Sequence, residues 1–188
     1  MRKLKVFNHV TLDGYIADAK GDMSWAHRRE QDPEWNGFVA ENASGSSAFL
    51  FGRITYELMA SYWPTKAALA SDPFVAKRMN ETPKFVFSRS LKQASWQNTT
   101  LYSGDLAENT RKLKSAAGPD IVIFGSGSVV AQLAQEGLVD EFQIVLNPTA
   151  LGAGRTMFAG VQKRLTLRHT KTRTFANGNV VLCYEPLG

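Results

Sequence analysis

Sulfhydryl chemistry is nearly absent. The chain of 188 residues holds one cysteine, Cys183, so no internal disulfide can form and a reducing, cytoplasmic compartment is the expected one. Histidine is almost as scarce: His9, His27 and His169 are far apart and lack ligand spacing, so no metal is expected. The His-x-Glu and Pro-Cys-x-x-Cys pair of zinc deaminases is missing. No apolar run approaches the roughly 20 residues of a membrane span. The basic opening Met1-Arg2-Lys3-Leu4-Lys5 leads into Val6-Phe7-Asn8-His9-Val10-Thr11 rather than a signal-peptide core, so neither membrane insertion nor export is expected. Charge of one sign is not concentrated either. Lys plus Arg total 22 against 17 Asp plus Glu, but Arg2, Lys3, Arg28, Arg29, Lys112, Lys114, Lys163 and Arg164 are scattered in twos. A nucleic-acid partner needs such residues gathered on one face, so a solvated surface is the preferred reading.

What is present is an ordinary globular composition, 44% hydrophobic and 21% charged, read as one domain over 1–188. Leu4 to Leu12 is extended, rich in β-branched and aromatic residues, and ends at Asp13-Gly14. Ala48 to Gly52, Lys84 to Ser88 and Ile121 to Gly125 are short apolar runs of the kind buried on both faces of a sheet. Helical patterns separate them: one follows an Asp105 cap and stops at Gly118-Pro119, one runs from Ser128 to Gly137, and a shorter one follows Asp72-Pro73. Alternating strands and helices predict an α/β fold with a mostly parallel sheet. Glu141 to Pro148, then Leu165 to Phe175 joined to Val180 to Glu185 through Asn177-Gly178, make the sheet mixed with an antiparallel end.

Three strand ends carry anion-binding chemistry. Gly52-Arg53-Ile54-Thr55-Tyr56-Glu57 opens a helix with exposed backbone N–H groups, a hydroxyl and a guanidinium. A capped helix with a surface arginine explains the same residues equally well. Gly125-Ser126-Gly127-Ser128-Val129 repeats the strand-glycine-helix order without being a Rossmann fingerprint or a P-loop. Ser88-Arg89-Ser90 is a polar turn or a phosphate grip. Ligands of open sheets gather along the carboxyl edge, so one extended ligand with several phosphates would account for all three.

At these residues the chain resembles a known superfamily. Phe51-Gly52-Arg53-Ile54-Thr55-Tyr56-Glu57 is similar to the Gly-Arg-x-Thr-Trp/Tyr-Glu signature of dihydrofolate reductases. Thr11-Leu12-Asp13-Gly14 resembles the Ser-Leu-Asp-Gly opening of the reductase domain of riboflavin-biosynthesis enzymes. Leu138-Val139-Asp140-Glu141 and Pro148-Thr149-Ala150-Leu151-Gly152-Ala153-Gly154 resemble that domain's later blocks. The resemblance implies a three-layer dihydrofolate reductase-like fold and a stand-alone NADPH-dependent reductase.

Carried over, it puts Gly52, Arg53, Ile54 and Thr55 on the diphosphate and 2′-phosphate side, Ser88 and Arg89 on the adenosine phosphate, and Gly125 to Val129 on the diphosphate. Ile16 and Ala17, with the backbone near Val10, would line the nicotinamide. Glu30, five residues after Trp25, falls where dihydrofolate reductases hold their catalytic acid, and Asp13 is the rival carboxylate; burial beside Trp25 would raise the pKa of either. Asp13, Trp25 and Tyr56 are the candidate substrate contacts, although Asp13 reads equally well as a turn residue and the two aromatics as core. Thr82 stands where a folate-gripping arginine belongs, which disfavours folate, and Phe7 replaces an early lysine of the riboflavin-type domain. The implied substrate is a pterin, an aminopyrimidine or another small conjugated molecule, and the implied assembly is a homodimer through the C-terminal strands. A nucleotide sensor or an RNA-binding module on the same fold is the alternative.

Overall fold

The computed structural model describes residues 1–26, 32–45 and 47–187. In chain order the strands and helices are β1 (Leu4–Thr11), β2 (Tyr15–Ala17), α1 (Pro33–Ser44), β3 (Ser47–Gly52), α2 (Arg53–Tyr62), α3 (Lys66–Ser71), α4 (Pro73–Glu81), β4 (Lys84–Phe87), β5 (Thr99–Tyr102) and α5 (Leu106–Ser115). Then come β6 (Asp120–Phe124), α6 (Gly127–Gln135), β7 (Glu141–Asn147), β8 (Arg155–Thr156), β9 (Leu167–Thr174) and β10 (Val180–Pro186).

Eight strands form one sheet in the order β5-β4-β3-β6-β1-β7-β10-β9. The pairings from β5 through to β7 are parallel. The β9–β10 hairpin closes the far side antiparallel. A separate pair, β2 with β8, lies off the main sheet. The mixed sheet read from the sequence is the one observed.

Alternation along the strands sends side chains into two helical layers. Leu4, Val6, Leu50, Ile121 and Ile123 pack with Val130 and Leu133 of α6 and Leu113 of α5. On the opposite face, Phe49, Phe51 and Val86 pack with Tyr56, Met79 and Trp96. Further along that face, Val145, Val181 and Cys183 meet Phe7, Trp35, Phe38 and Phe175.

Helix starts follow two patterns. Side chains of Asp32, Thr65, Asp72 and Asp105 cap α1, α3, α4 and α5 by accepting backbone N–H groups of the first turn, which satisfies otherwise orphaned donors. Neither α2 nor α6 has a side-chain cap. These two helices follow β3 and β6, which are adjacent in the sheet.

Candidate active site

A cleft of about 1650 Å³ takes in the carboxyl ends of β3, β4 and β6 and continues across the sheet toward the amino end of β1. The three phosphate-type strand ends meet there: Gly52 to Thr55, Ser88 with Arg89, and Gly125 to Val129 all line it. The cause is topological, because β4, β3 and β6 are parallel neighbours and deliver their last residues to one edge.

The β3–α2 and β6–α6 turns are closely interlocked. Gly125 has φ 56°, and a Cβ on it would stand 3.0 Å from Thr55 Oγ1. Ser126 donates its N–H to Thr55 Oγ1 at 3.1 Å, and its hydroxyl accepts the Gly52 N–H at 2.9 Å. Arg53 is half-exposed and held by Glu57 at 2.8 Å. On β4's side, Ser88 Oγ accepts the N–H groups of Ser90 and Leu91 at 3.1 and 2.9 Å, fixing the turn that carries Arg89.

Ile16 and Ala17 of β2 also line the cleft, both nearly buried. Their strand is pressed close: a Cβ on Gly127 would lie 2.7 Å from Ile16 Cδ1, and one on Gly154 would lie 2.3 Å from the Ala17 carbonyl oxygen. The Ala17 carbonyl is backbone, so glycine is required at position 154 for β2 to lie against β8, whereas at position 127 the tip of the Ile16 side chain can turn aside. Val10 has its side chain in the core and its carbonyl accepts Asn147 Nδ2 at 3.2 Å, while residues 5 to 9 of β1 line the cleft.

The expected acid and substrate contacts need correction. Asp13 does not hold a proton. Its carboxylate accepts the Thr11 hydroxyl at 2.6 Å and the N–H groups of Gly152 and Leu151 at 2.6 and 3.0 Å. The Thr11 hydrogen bond first, then that from Gly152, holds its pKa below the ordinary carboxylate range, since all these donors favour the ionised form. Asp13 thus pins the Pro148–Gly154 segment to the β1 turn. Tyr56 faces the core rather than the cleft: it is 2% exposed, and its hydroxyl accepts the Trp96 N–H at 2.8 Å. Trp25 sits half-buried in a 3₁₀ turn (Ser24–Ala26). Its indole N–H is sealed without a partner among the described residues, while Met23 and Ala26 line the cleft. Glu30 lies outside the described residues.

The sequence reading missed the floor on the α1 side. His9 packs edge-on against Trp35 with ring centroids 5.9 Å apart, and its Nδ1 lies 3.2 Å from the side-chain amide of Asn147. Phe7 is edge-on to Phe124 at 5.8 Å. Lys5, Phe7 and His9 are spaced two apart in β1 and line the same wall, an alternation already visible in the sequence.

The residues present suit a phosphorylated dinucleotide. Two uncapped helix starts, two glycine turns and two guanidinium groups, Arg53 and Arg89, share one cleft wall, and that donor set is appropriate for phosphates.

Comparison with known proteins bears on the family and the fold. YyaP of Bacillus subtilis (strain 168) is 32% identical over 177 residues, 94% of this chain and 90% of that protein. A putative riboflavin biosynthesis protein from Shewanella sp. PV-4 superposes with a TM-score of 0.75 at 23% identity, covering 99% of both chains. The dihydrofolate reductase of Enterococcus faecalis, solved with NADP(H), superposes with a TM-score of 0.65 at 13% identity, over 99% of this chain and 97% of that one. At those identities the two structures speak to fold alone, and they bear out a dihydrofolate reductase-like architecture. The RibD C-terminal domain matches residues 2–181, so the chain belongs to the RibD C-terminal domain family.

Proposed function

We propose that the protein is an NADPH-dependent reductase that passes hydride to a small conjugated heterocycle, of the pterin or sugar-linked aminopyrimidine kind handled in riboflavin biosynthesis. The observation that carries this reading is the pair of uncapped helices. Four helices have their own side-chain caps, but α2 and α6 start side by side at the cleft with first-turn N–H groups left for a ligand. The family supports a reductase-type activity.

Bound NADPH supplies the hydride. The chain's part is to hold and orient it: the α2 and α6 starts take the diphosphate, Arg53 and Arg89 take the phosphate that distinguishes NADPH from NADH, and Ile16 and Ala17 close over the nicotinamide end. Phe7, His9, Trp35 and Phe124 wall the substrate half, where aromatic faces suit a planar ring. Glu30 is the proton donor of this reading, and Glu30→Gln should lower turnover without weakening NADPH.

The active unit in this proposal is a homodimer, without nucleic-acid or membrane partners. Ile144 and Leu146 of β7 share a half-buried face with Val180 and Leu182 of β10, which a second copy would cover; sedimentation as a monomer would refute it. Among the described residues no helix is long and apolar enough to cross a membrane.

The test is tryptophan fluorescence titrated with each cofactor. NADPH should quench at micromolar concentrations and NADH more weakly. Arg53→Ala should cost about 1.5–3 kcal/mol of NADPH binding, the range for a charge-assisted contact. Unchanged affinity would remove Arg53 from the site, and equal binding of NADH would remove the phosphate reading.

A further inference from the structure

Ser126 follows Gly125 into the left-handed region although it carries a side chain. Its backbone is left-handed, φ 53° and ψ 47°, a conformation disfavoured for any residue with a side chain. That side chain reaches across to the other phosphate-type turn. Its Oγ accepts the Gly52 N–H at 2.9 Å and donates to Thr55 Oγ1 at 3.0 Å, while its own N–H donates to the same oxygen at 3.1 Å.

The geometry of the Ser126–Thr55 contact gives the direction, with Ser126 as the donor. The Gly52 N–H can only donate, so it sets the start. A serine hydroxyl has one hydrogen, and Ser126 gives it to Thr55. Thr55 Oγ1 therefore accepts twice, which fills its two lone pairs. Its single hydrogen has no acceptor among the described residues, and Thr55 lines the cleft. A hydroxyl in that state can donate but no longer accept, and donors upstream in the chain polarise it further.

We propose that Ser126 is a positioning residue: the chain from Gly52 N–H through Ser126 O–H to Thr55 O–H is a one-way relay that presents Thr55 as an obligate donor to a cofactor phosphate oxygen. Phosphate oxygens accept without donating, so the relay selects for the anion. Ser126 itself touches Thr55 and Gly52 rather than the ligand. The proposal rests on the NADPH reading above.

A double-mutant cycle tests it, with NADPH affinity read from tryptophan quenching and the melting temperature of each unliganded protein measured alongside. Thr55→Val should weaken NADPH about tenfold, and Ser126→Ala about three- to fivefold. In the Thr55→Val background, Ser126→Ala should add no further loss, because the relay has no terminus left. Ser126→Gly drops the hydroxyl but relaxes the left-handed turn. It should therefore bind as weakly as Ser126→Ala while melting at or above it, which separates the relay from mere folding.

Three results would overturn the relay: Ser126→Ala binding like wild type, Ser126→Ala costing as much in the Thr55→Val background as in the wild-type one, or Ser126→Ala costing more than Thr55→Val. Failure of the wild-type protein to bind NADPH at all is a different outcome. It ends the cofactor reading and the relay with it, whereas failure of the relay alone leaves wild-type binding and the Arg53→Ala loss in place.

Discussion

Lys84 opens β4 with its side chain fully buried. Its ammonium donates to the carbonyl oxygens of Asn80, Thr82 and Gln97 at 3.0, 2.7 and 3.2 Å, and it stands 4.4 Å from the centre of the Trp96 ring. Among the described residues no carboxylate joins it in an ion pair. Burial pushes the Lys84 pKa down from 10.5 to about 8.

Below pH 8 the native and unfolded chains both carry the proton, and the native state bears the cost of a desolvated charge. Between pH 8 and 10.5 the unfolded chain keeps the proton that the native protein has released, so stability rises with pH across that window. At about 1.36 kcal/mol per pH unit the gain is about 3 kcal/mol. Urea unfolding of wild type and Lys84→Met, followed by tryptophan fluorescence from about pH 7 to 10.5, isolates the effect, since groups common to both proteins cancel. The free-energy difference should move by about 3 kcal/mol in favour of wild type. A difference that stays flat, or moves the other way, would refute the reasoning.

Gly154→Ala would drive a methyl group into the Ala17 carbonyl and the Tyr15 ring. A loss of about 1–3 kcal/mol in urea unfolding is expected, with weaker NADPH quenching because β2 is displaced from the cleft. Tyr56→Phe leaves the buried Trp96 N–H unpaired, which should cost about 1–3 kcal/mol of stability; NADPH affinity should not change, and a substrate-binding defect would return Tyr56 to the site. The lowered pKa of Asp13 stabilises the fold above the ordinary carboxylate range, and that contribution is lost as pH falls through the depressed folded value. Asp13→Asn should therefore flatten the acid limb of thermal stability, and limited proteolysis should cut between residues 148 and 156 sooner.

Strands β3, β4 and β6 were legible because burial on both faces leaves an apolar run short enough to exclude a helix. The three anion-type strand ends were legible for a related reason: glycine, serine and arginine at a strand end is a local pattern, and parallel neighbours must bring such ends together. Less visible were features that depend on distant parts of the chain. Helix α1 contains Gly37 and no clear apolar stripe; it stands through the Asp32 cap and through Trp35 and Phe38 packing on Phe175 from the far end of the sequence. Strand β5 is four residues long and pairs only at an edge. Tyr56 was misread because neighbouring positions of α2 look toward the cleft and toward the core, and spacing alone does not say which. Asp13 looked like an acid until the backbone of Leu151 and Gly152, far along the chain, supplied its donors.

The Asp32 carboxylate holds more than its own helix, for it also accepts the N–H of Asn177 at 3.0 Å in the β9–β10 turn. Arg173 of β9 reaches Glu34 at 3.2 Å and lies over the Phe38 and Phe175 rings. The wall that would grip a substrate is thus moored to the outermost hairpin, whose β9 flank has no strand beyond it among the described residues. Loss of the Asp32 carboxylate would therefore loosen the start of α1 and the β9–β10 turn together.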